Sequence, residues 1–434
     1  MMGFISRELI CILSMSLSFM ILFSSEGTMQ NIQKTIVSSI SDDKPDFEAE
    51  GYTFSGVLYT VFSVSLWFGP YISHVAGPKL TMIVSALGYL GGIVPYLFEN
   101  EWVILGGVIV NGVAAGLLWP PQGLYMIENS SPENASRNIA IFWAILNTSS
   151  LWGNLFVYYT FYGKQHIDQS TRTTVLYFLV IVNILAVASF VGLPRSASDQ
   201  KARRKAPSNT FKKCWRMLAS RKMTWLFLPF SYTGLQQAYH NGIYSPSIGF
   251  TLAFGNSAKE LVALSGIVMS IGAIIGGICP IVFDNWIRRH KYSRRSIFLV
   301  GCTGQLLAYL ITFINLPDTA VFGNTDQTSL ITPSAVLAMT GSLLLRFGDS
   351  CLNTQIFSII ADLYRESSAE ACAYYKFVKA VFVAINYYWC SHFGLHTQMA
   401  ILSIWSLVGA FCFFVADSDI TLSTEKKTIY QVNE

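Results

Sequence analysis

Apolar runs long enough to cross a bilayer dominate this chain and decide its solvent before any motif is read. A helix needs about 20 apolar residues to span the hydrocarbon. Twelve stretches approach or exceed that length, at roughly 9–30, 52–73, 78–98, 102–126, 137–161, 173–193, 223–250, 260–284, 296–316, 333–360, 371–391 and 397–415. In lipid every backbone N–H and C=O must be satisfied within the segment, so such runs fold as helices. Charge agrees. Charged residues make up 12% of the 434 against 52% hydrophobic, whereas a soluble domain carries about 25% charge. That excludes a typical cytosolic enzyme, a disordered chain and a disulfide scaffold. The net charge of +4 implies no nucleic-acid partner, because the basic residues sit in short clusters between apolar runs. Seven of the eight cysteines lie in or beside those runs without a C-x-x-C pair. They read as small buried hydrophobes.

The first run could be taken for a signal peptide, but Arg7 and Glu8 nearly cancel and no small-x-small cleavage site follows Phe23. A spanning helix is the expectation. Lys and Arg then orient the chain: ten lie between Pro194 and Lys222 and five more between Arg288 and Arg295. The positive-inside rule puts both segments in the cytoplasm, together with both termini. The chain is thus expected to be an integral multi-pass membrane protein with the lipid bilayer as its first partner; plasma and endolysosomal membranes are both left open.

The basic segment 194–222 separates two sets of six spans, residues 1–193 and 223–416, with 417–434 as a cytoplasmic tail. An internal echo supports the division. Ser55-Gly56-Val57 precedes Pro70 as Ser265-Gly266-Ile267 precedes Pro280, with the same glycine-to-proline separation. A second echo pairs Glu128-Asn129-Ser130-Ser131 with Glu366-Ser367-Ser368. The expected fold class is an all-α membrane protein, twelve transmembrane helices in two pseudo-symmetric six-helix halves, which is the plan of the major facilitator superfamily. Asp284, Arg288, Arg289, Arg294 and Arg295 resemble that superfamily's acid-and-basic signature, a cytoplasmic gating loop. The first-half counterpart, His74 to Lys79, has lost its acid.

Several motifs narrow the resemblance. They are Gly51-Tyr52, Leu118-Trp119-Pro120-Pro121-Gln122-Gly123, Arg137-Asn138, Trp152-Gly153-Asn154-Leu155, Tyr232-Thr233-Gly234-Leu235, Leu264-Ser265-Gly266-Ile267, Gly348-Asp349-Ser350-Cys351-Leu352-Asn353-Thr354-Gln355 and Lys376-Phe377-Val378. Their order resembles the Unc-ninety-three (uncoordinated-type) family, and within it the major-facilitator-domain-containing-eleven-like branch. The resemblance implies the twelve-helix facilitator fold. It also implies one of two roles, transporter or accessory subunit, since members regulate a two-pore potassium channel or escort Toll-like receptors. Two positions depart from the family pattern, Gln236 and Ala273, where the resemblance implies acids. Arg346 departs the other way, a charge where a small residue is typical.

Ionisable groups in the bilayer core need a partner or a wet cavity. Arg346, Asp349 and Asn353 share one face of span ten at i, i+3 and i+7. They line a central cavity, or they form an ion pair locking span ten to a neighbour. Gln236, Gln237, Tyr239, His240 and Asn241 make the middle of span seven too polar to face lipid, and Gly242 and Pro246 permit a break there. Lys376 and Lys379 open span eleven. Snorkelling to the cytoplasmic surface is their first reading, and a cavity-facing cation paired with Asp349 or Asp362 is the second. In the first half, Glu26, Gln122, Asn147 and Asn154 line the cavity or hydrogen-bond between helices. Pro120 and Pro121 are expected to break or kink span four. No catalytic, metal or cofactor motif is present, so an enzyme is not expected and no cofactor is implied. The expected function is secondary transport of a small polar solute by alternating access; a non-transporting subunit of a channel or receptor is the alternative.

Overall fold

The computed structural model describes residues 7–131, 134–195, 221–282, 293–364 and 368–432. Among the described residues, each expected span coincides with a helix or a pair of helices. Span one is α1 (Arg7–Asp43), and span two divides into α2 (Gly51–Ser65) and α3 (Gly69–Ala76). Span three is α4 (Pro78–Ile93), and span four is α5 (Glu101–Glu128). Span five divides into α6 (Ala135–Asn147) and α7 (Ser149–Phe161), and span six is α8 (Gln169–Val191). Span seven is α9 (Arg221–Ala238) joined through a π-helical turn (Tyr239–Ile243) to α10 (Tyr244–Phe250). Spans eight to twelve are α11 (Ala258–Val282), α12 (Ser293–Asn315), α13 (Ala335–Leu363), α14 (Ser368–Trp389) and α15 (Leu395–Val432).

By length and composition, nine helical stretches among the described residues can cross a membrane. Spans two, seven and eleven are not among them. The first two are interrupted, and the third carries Lys376, Lys379, Asn386 and several tyrosines. Helices that give up apolar character in a membrane bundle do so where they face protein rather than lipid. Two further differences have simple causes. The helix of span four runs through Pro120 and Pro121 without a break, since freed carbonyls in a membrane helix are re-satisfied by local adjustment and neighbours. α1 is 37 residues long, about 55 Å at 1.5 Å per residue. That exceeds a core of about 30 Å, and its last turns, with Ile36, Val37 and Ile40, are buried in protein.

Apolar packing falls into three clusters. One apolar cluster draws only on residues from Cys11 to Leu193, and a second only on residues from Met223 to Ala416. A third joins them, running from Met29 to Leu402. Cys11, Cys302, Cys351, Cys390 and Cys412 are buried free thiols. The glycine echo sits where the halves meet. A Cβ on Gly56 would lie 2.8 Å from the Tyr388 ring of α14, and one on Gly266 would lie 2.6 Å from the Asn154 side chain of α7. Each glycine thus lets a helix of one half approach a helix of the other. Asn154 is held by Asn31, whose Nδ2 donates to Asn154 Oδ1 at 2.8 Å and to the Val262 carbonyl of α11 at 3.0 Å. Gly266→Ala is therefore expected to displace Asn154 and cost about 1–3 kcal/mol by overpacking, read as a lower melting temperature in detergent.

Candidate functional site

The polar residues of the second half converge on Asp349, which is 7% exposed. It occupies the middle of α13, where a carboxylate without partners would be very costly. Its Oδ2 accepts from Arg346 Nη1 at 2.8 Å, one helical turn earlier. Its Oδ1 accepts from Asn353 Nδ2 at 2.6 Å, one turn later, and from Gln236 Nε2 of α9. His240 Nε2 of the π-helical turn lies 3.7 Å from Oδ2, and Lys379 Nζ of α14 lies 4.0 Å from Oδ1. Charge-assisted bonds of this kind are about twice as strong as neutral ones.

The ring around Asp349 is itself held. Gln305 Nε2 of α12 donates to Gln236 Oε1 at 2.7 Å, and Tyr232 Oη donates to Gln305 Oε1. Asn353 Oδ1 accepts from Tyr375 Oη and from Lys379 Nζ, the latter at 3.1 Å. Four spans thus orient one carboxylate. The π-helical turn widens α9 at Tyr239–Ile243 and turns His240 inward. Such turns recur at functional sites because they unseat one backbone bond and re-aim a side chain.

A second chain of amides crosses between the halves. Gln237 Nε2 donates to Tyr59 Oη of α2 at 3.2 Å, and Tyr59 Oη donates to Gln30 Oε1 of α1 at 3.2 Å. Asn241 Nδ2 reaches the same Gln30 oxygen at 3.4 Å. Gln30 Nε2 continues to Glu26 Oε1 at 3.4 Å, which also accepts from Asn111 Nδ2 of α5 at 3.0 Å. Glu26 is 1% exposed, and its Oε2 has no hydrogen-bond partner among the described residues.

The structure gathers some expected residues and disperses others. Arg346, Asp349, Asn353, Gln236 and His240 meet, and Gln237, Asn241 and Glu26 form the adjoining chain. Tyr239 packs against the rings of Tyr244 and Tyr309 instead. Lys376 stands 4.6 Å over the Trp119 ring of α5, while Lys379 approaches Asp349. Asn154 lies at the α7–α11 contact. Gln122 is buried on α5, and half-buried Asn147 ends α6. Arg294 bonds Asp362 and Asp417, and Arg295 bonds Asp417 at 2.7 Å, all within the second half. Asp284, Arg288, Arg289, Glu366, Ser367 and most of 194–222 lie outside the described residues.

Groups that sequence reasoning missed hold the end away from those basic segments. Arg172, 1% exposed at the start of α8, donates to Glu99 at 3.0 and 3.2 Å, to the Ser39 and Ile167 carbonyls, and to Asp43. Glu50 caps α2, accepting from Tyr52 N at 2.7 Å, pairs with Lys34, and accepts from Ser391 of the other half at 3.1 Å. At the same end Tyr52 Oη donates to the Val321 carbonyl at 3.1 Å, and Gly163 N donates to Glu260 at 2.9 Å. At the opposite end the described contacts between halves include Trp67 against Phe377 and Lys376 over Trp119.

The family described as "Ion channel regulatory protein UNC-93" matches residues 46–414. The chain is 31% identical over 438 residues to the UNC93-like protein MFSD11 of Xenopus tropicalis, covering 96% of this chain and 97% of that one. Among solved structures it is similar to a POT family transporter in complex with 5-aminolevulinic acid, with a TM-score of 0.69 at 12% identity over 94% of this chain and 96% of that one. It is also similar to the nucleoside transporter NupG, with a TM-score of 0.63 at 13% identity over 94% and 98% of the two chains. At these identities the likeness shows a shared fold and leaves chemistry to the site.

Proposed function

This chain belongs to the UNC-93 family, and on that premise we propose that it is a secondary transporter carrying a small polar solute by alternating access. The observation that carries the reading is Asp349, a carboxylate in mid-span ringed by donors from α9, α13 and α14. A structural ion pair needs one partner. This one has an oriented shell whose cations are only partly buried, which suits a solute site at the meeting of two halves. Residues 1–193 and 223–416 rock about it, joined by the cytoplasmic linker 194–222, with both termini in the cytoplasm. The hydrogen bonds at Glu50, Tyr52 and Glu260 support an outer end that is closed here.

The test is a thermal-stability screen of the purified protein against a library of metabolites and ions, followed by uptake of any hit into proteoliposomes. A ligand of the folded state raises the melting temperature by mass action. Saturable uptake of a stabilising solute is the expected result. The family's description as a channel regulator favours a second reading, an accessory subunit. Absence of any stabilising solute, with a channel or receptor recovered stoichiometrically in mild detergent, would overturn transport in its favour.

A further inference from the structure

We propose that the solute is a small organic anion, bound through a carboxylate or phosphate head by Arg346, Lys379 and Lys376. This rests on the transporter reading and specifies the charge class of its substrate. The charges around the site do not balance. Arg346 and Lys379 face it from α13 and α14, Lys376 stands one helical turn from Lys379 over Trp119, and the acids at hand are Asp349 and, on α1, Glu26. Even with Glu26 ionised, cations outnumber acids three to two. Excess charge in the bilayer core is expensive and persists where it does work on an ion.

The donors are also incompletely used. Arg346 spends Nη1 on Asp349, and its side chain stays 27% exposed. A guanidinium offers five N–H donors in a planar fork, so the remaining edge matches a second oxyanion. Lys379 is 16% exposed, bonds Asn353 and stands 4.0 Å from Asp349, a loose contact that leaves room for a nearer anion. Lys376 lies three residues earlier on the same face of α14. It has the Trp119 ring as its partner and no carboxylate within ion-pair distance among the described residues. Trp119 stacks in turn on Trp143, so one turn from Lys379 a cation stands beside flat apolar surface. Asp349 accepts from Arg346, Gln236 and Asn353 already, which leaves it poorly placed to receive a cationic solute.

The experiment uses the full-length protein in detergent and follows its melting temperature with shape-matched probes of different charge. Benzoate, benzamide and benzamidinium form one set; glutarate, glutaramide and glycerol phosphate form a second, aliphatic one. Benzoate or glutarate is expected to stabilise while the amides and the amidinium do not. Stabilisation by glycerol phosphate rather than glutarate would assign the head as phosphate. Lys376→Gln, which removes a cation that has no carboxylate partner, is expected to fold normally and weaken the anion by about ten- to a hundredfold, the loss of one charge-assisted hydrogen bond. Arg346→Gln is expected to weaken it at least as much. Stabilisation by the amidinium or the amides alone would overturn the anion while leaving transport standing. No stabilisation by any probe, nor by any solute of the wider library, would remove the transporter reading and this inference together. Anion stabilisation undiminished in both variants would overturn this site.

Discussion

Asp349→Asn is expected to destabilise the protein by about 3–5 kcal/mol, the cost of leaving a buried charge without its counterpart. The substitution is isosteric, so no cavity enters the argument. The carboxylate accepts at both oxygens, from Arg346 on one and from Gln236 and Asn353 on the other. An amide keeps one acceptor and presents an NH2 to groups that are themselves donors, whichever way it is turned. Arg346 and Lys379 then lose the negative charge between them. The double variant Arg346→Gln with Asp349→Asn is expected to recover part of the stability, because one stranded cation leaves with the acid. A double-mutant cycle on melting temperature measures this coupling. Additive losses would show that Arg346 and Asp349 act independently, and the site would lose its centre.

The second large effect is in the first half, at Arg172. Arg172→Gln is expected to cost about 3–5 kcal/mol, since the guanidinium is the shared partner of Glu99 and Asp43 and of two backbone carbonyls. It ties the last turn of α1 to the α4–α5 and α7–α8 connections, so its loss unseats three elements at once. Arg172→Lys is expected to recover little, because an ammonium cannot reproduce the fork that bonds Glu99 through both Nε and Nη2. This cluster also predicts a pH dependence. Burial pushes the Glu99 carboxyl up, but the bonds from Lys44 and Arg172 outweigh it and hold its pKa below the ordinary 4.5. A group held low in the folded state contributes its stability above its unfolded pKa and loses it as pH falls through the folded value. Melting temperature should therefore fall as the pH drops below about 4.5, and less steeply in Arg172→Gln. Parallel curves for the two proteins would show that the cluster contributes nothing to acid stability.

How much of the site was legible depended on whether its partners lay within one helix or on different ones. Arg346, Asp349 and Asn353 are three and four residues apart on one helix, and helical geometry alone puts them on one face. Span seven was legible for a different reason. Its run of Gln236, Gln237, Tyr239, His240 and Asn241 is too polar for lipid, and its middle became a π-helical turn. The lysines show the opposite case. Lys376 and Lys379 look alike in sequence, three residues apart at the start of a span. Which one reaches Asp349 depends on the rotation of α14 against α13 and α9. Gln305 was missed because a single amide in the apolar run of α12 carries no spacing, yet it holds Gln236 from behind at 2.7 Å. Its one signal was polarity in mid-span.

The amino-acid sequence by itself determined the solvent, the helical class and the two-fold repeat. Bilayer thickness dictates span length, and unsatisfied backbone is intolerable in lipid. The glycine echo at Gly56 and Gly266 was visible as a repeat, but only the tertiary structure made it two matched crossings between halves. Tertiary structure alone decided that Arg172 would gather Asp43 and Glu99 from 129 and 73 residues away, and that Lys379 would face Asp349. Contacts within a helix follow from a fixed rise and turn, which spacing encodes. Contacts between helices follow from rotation, tilt and register, which many side chains set together and no single spacing records.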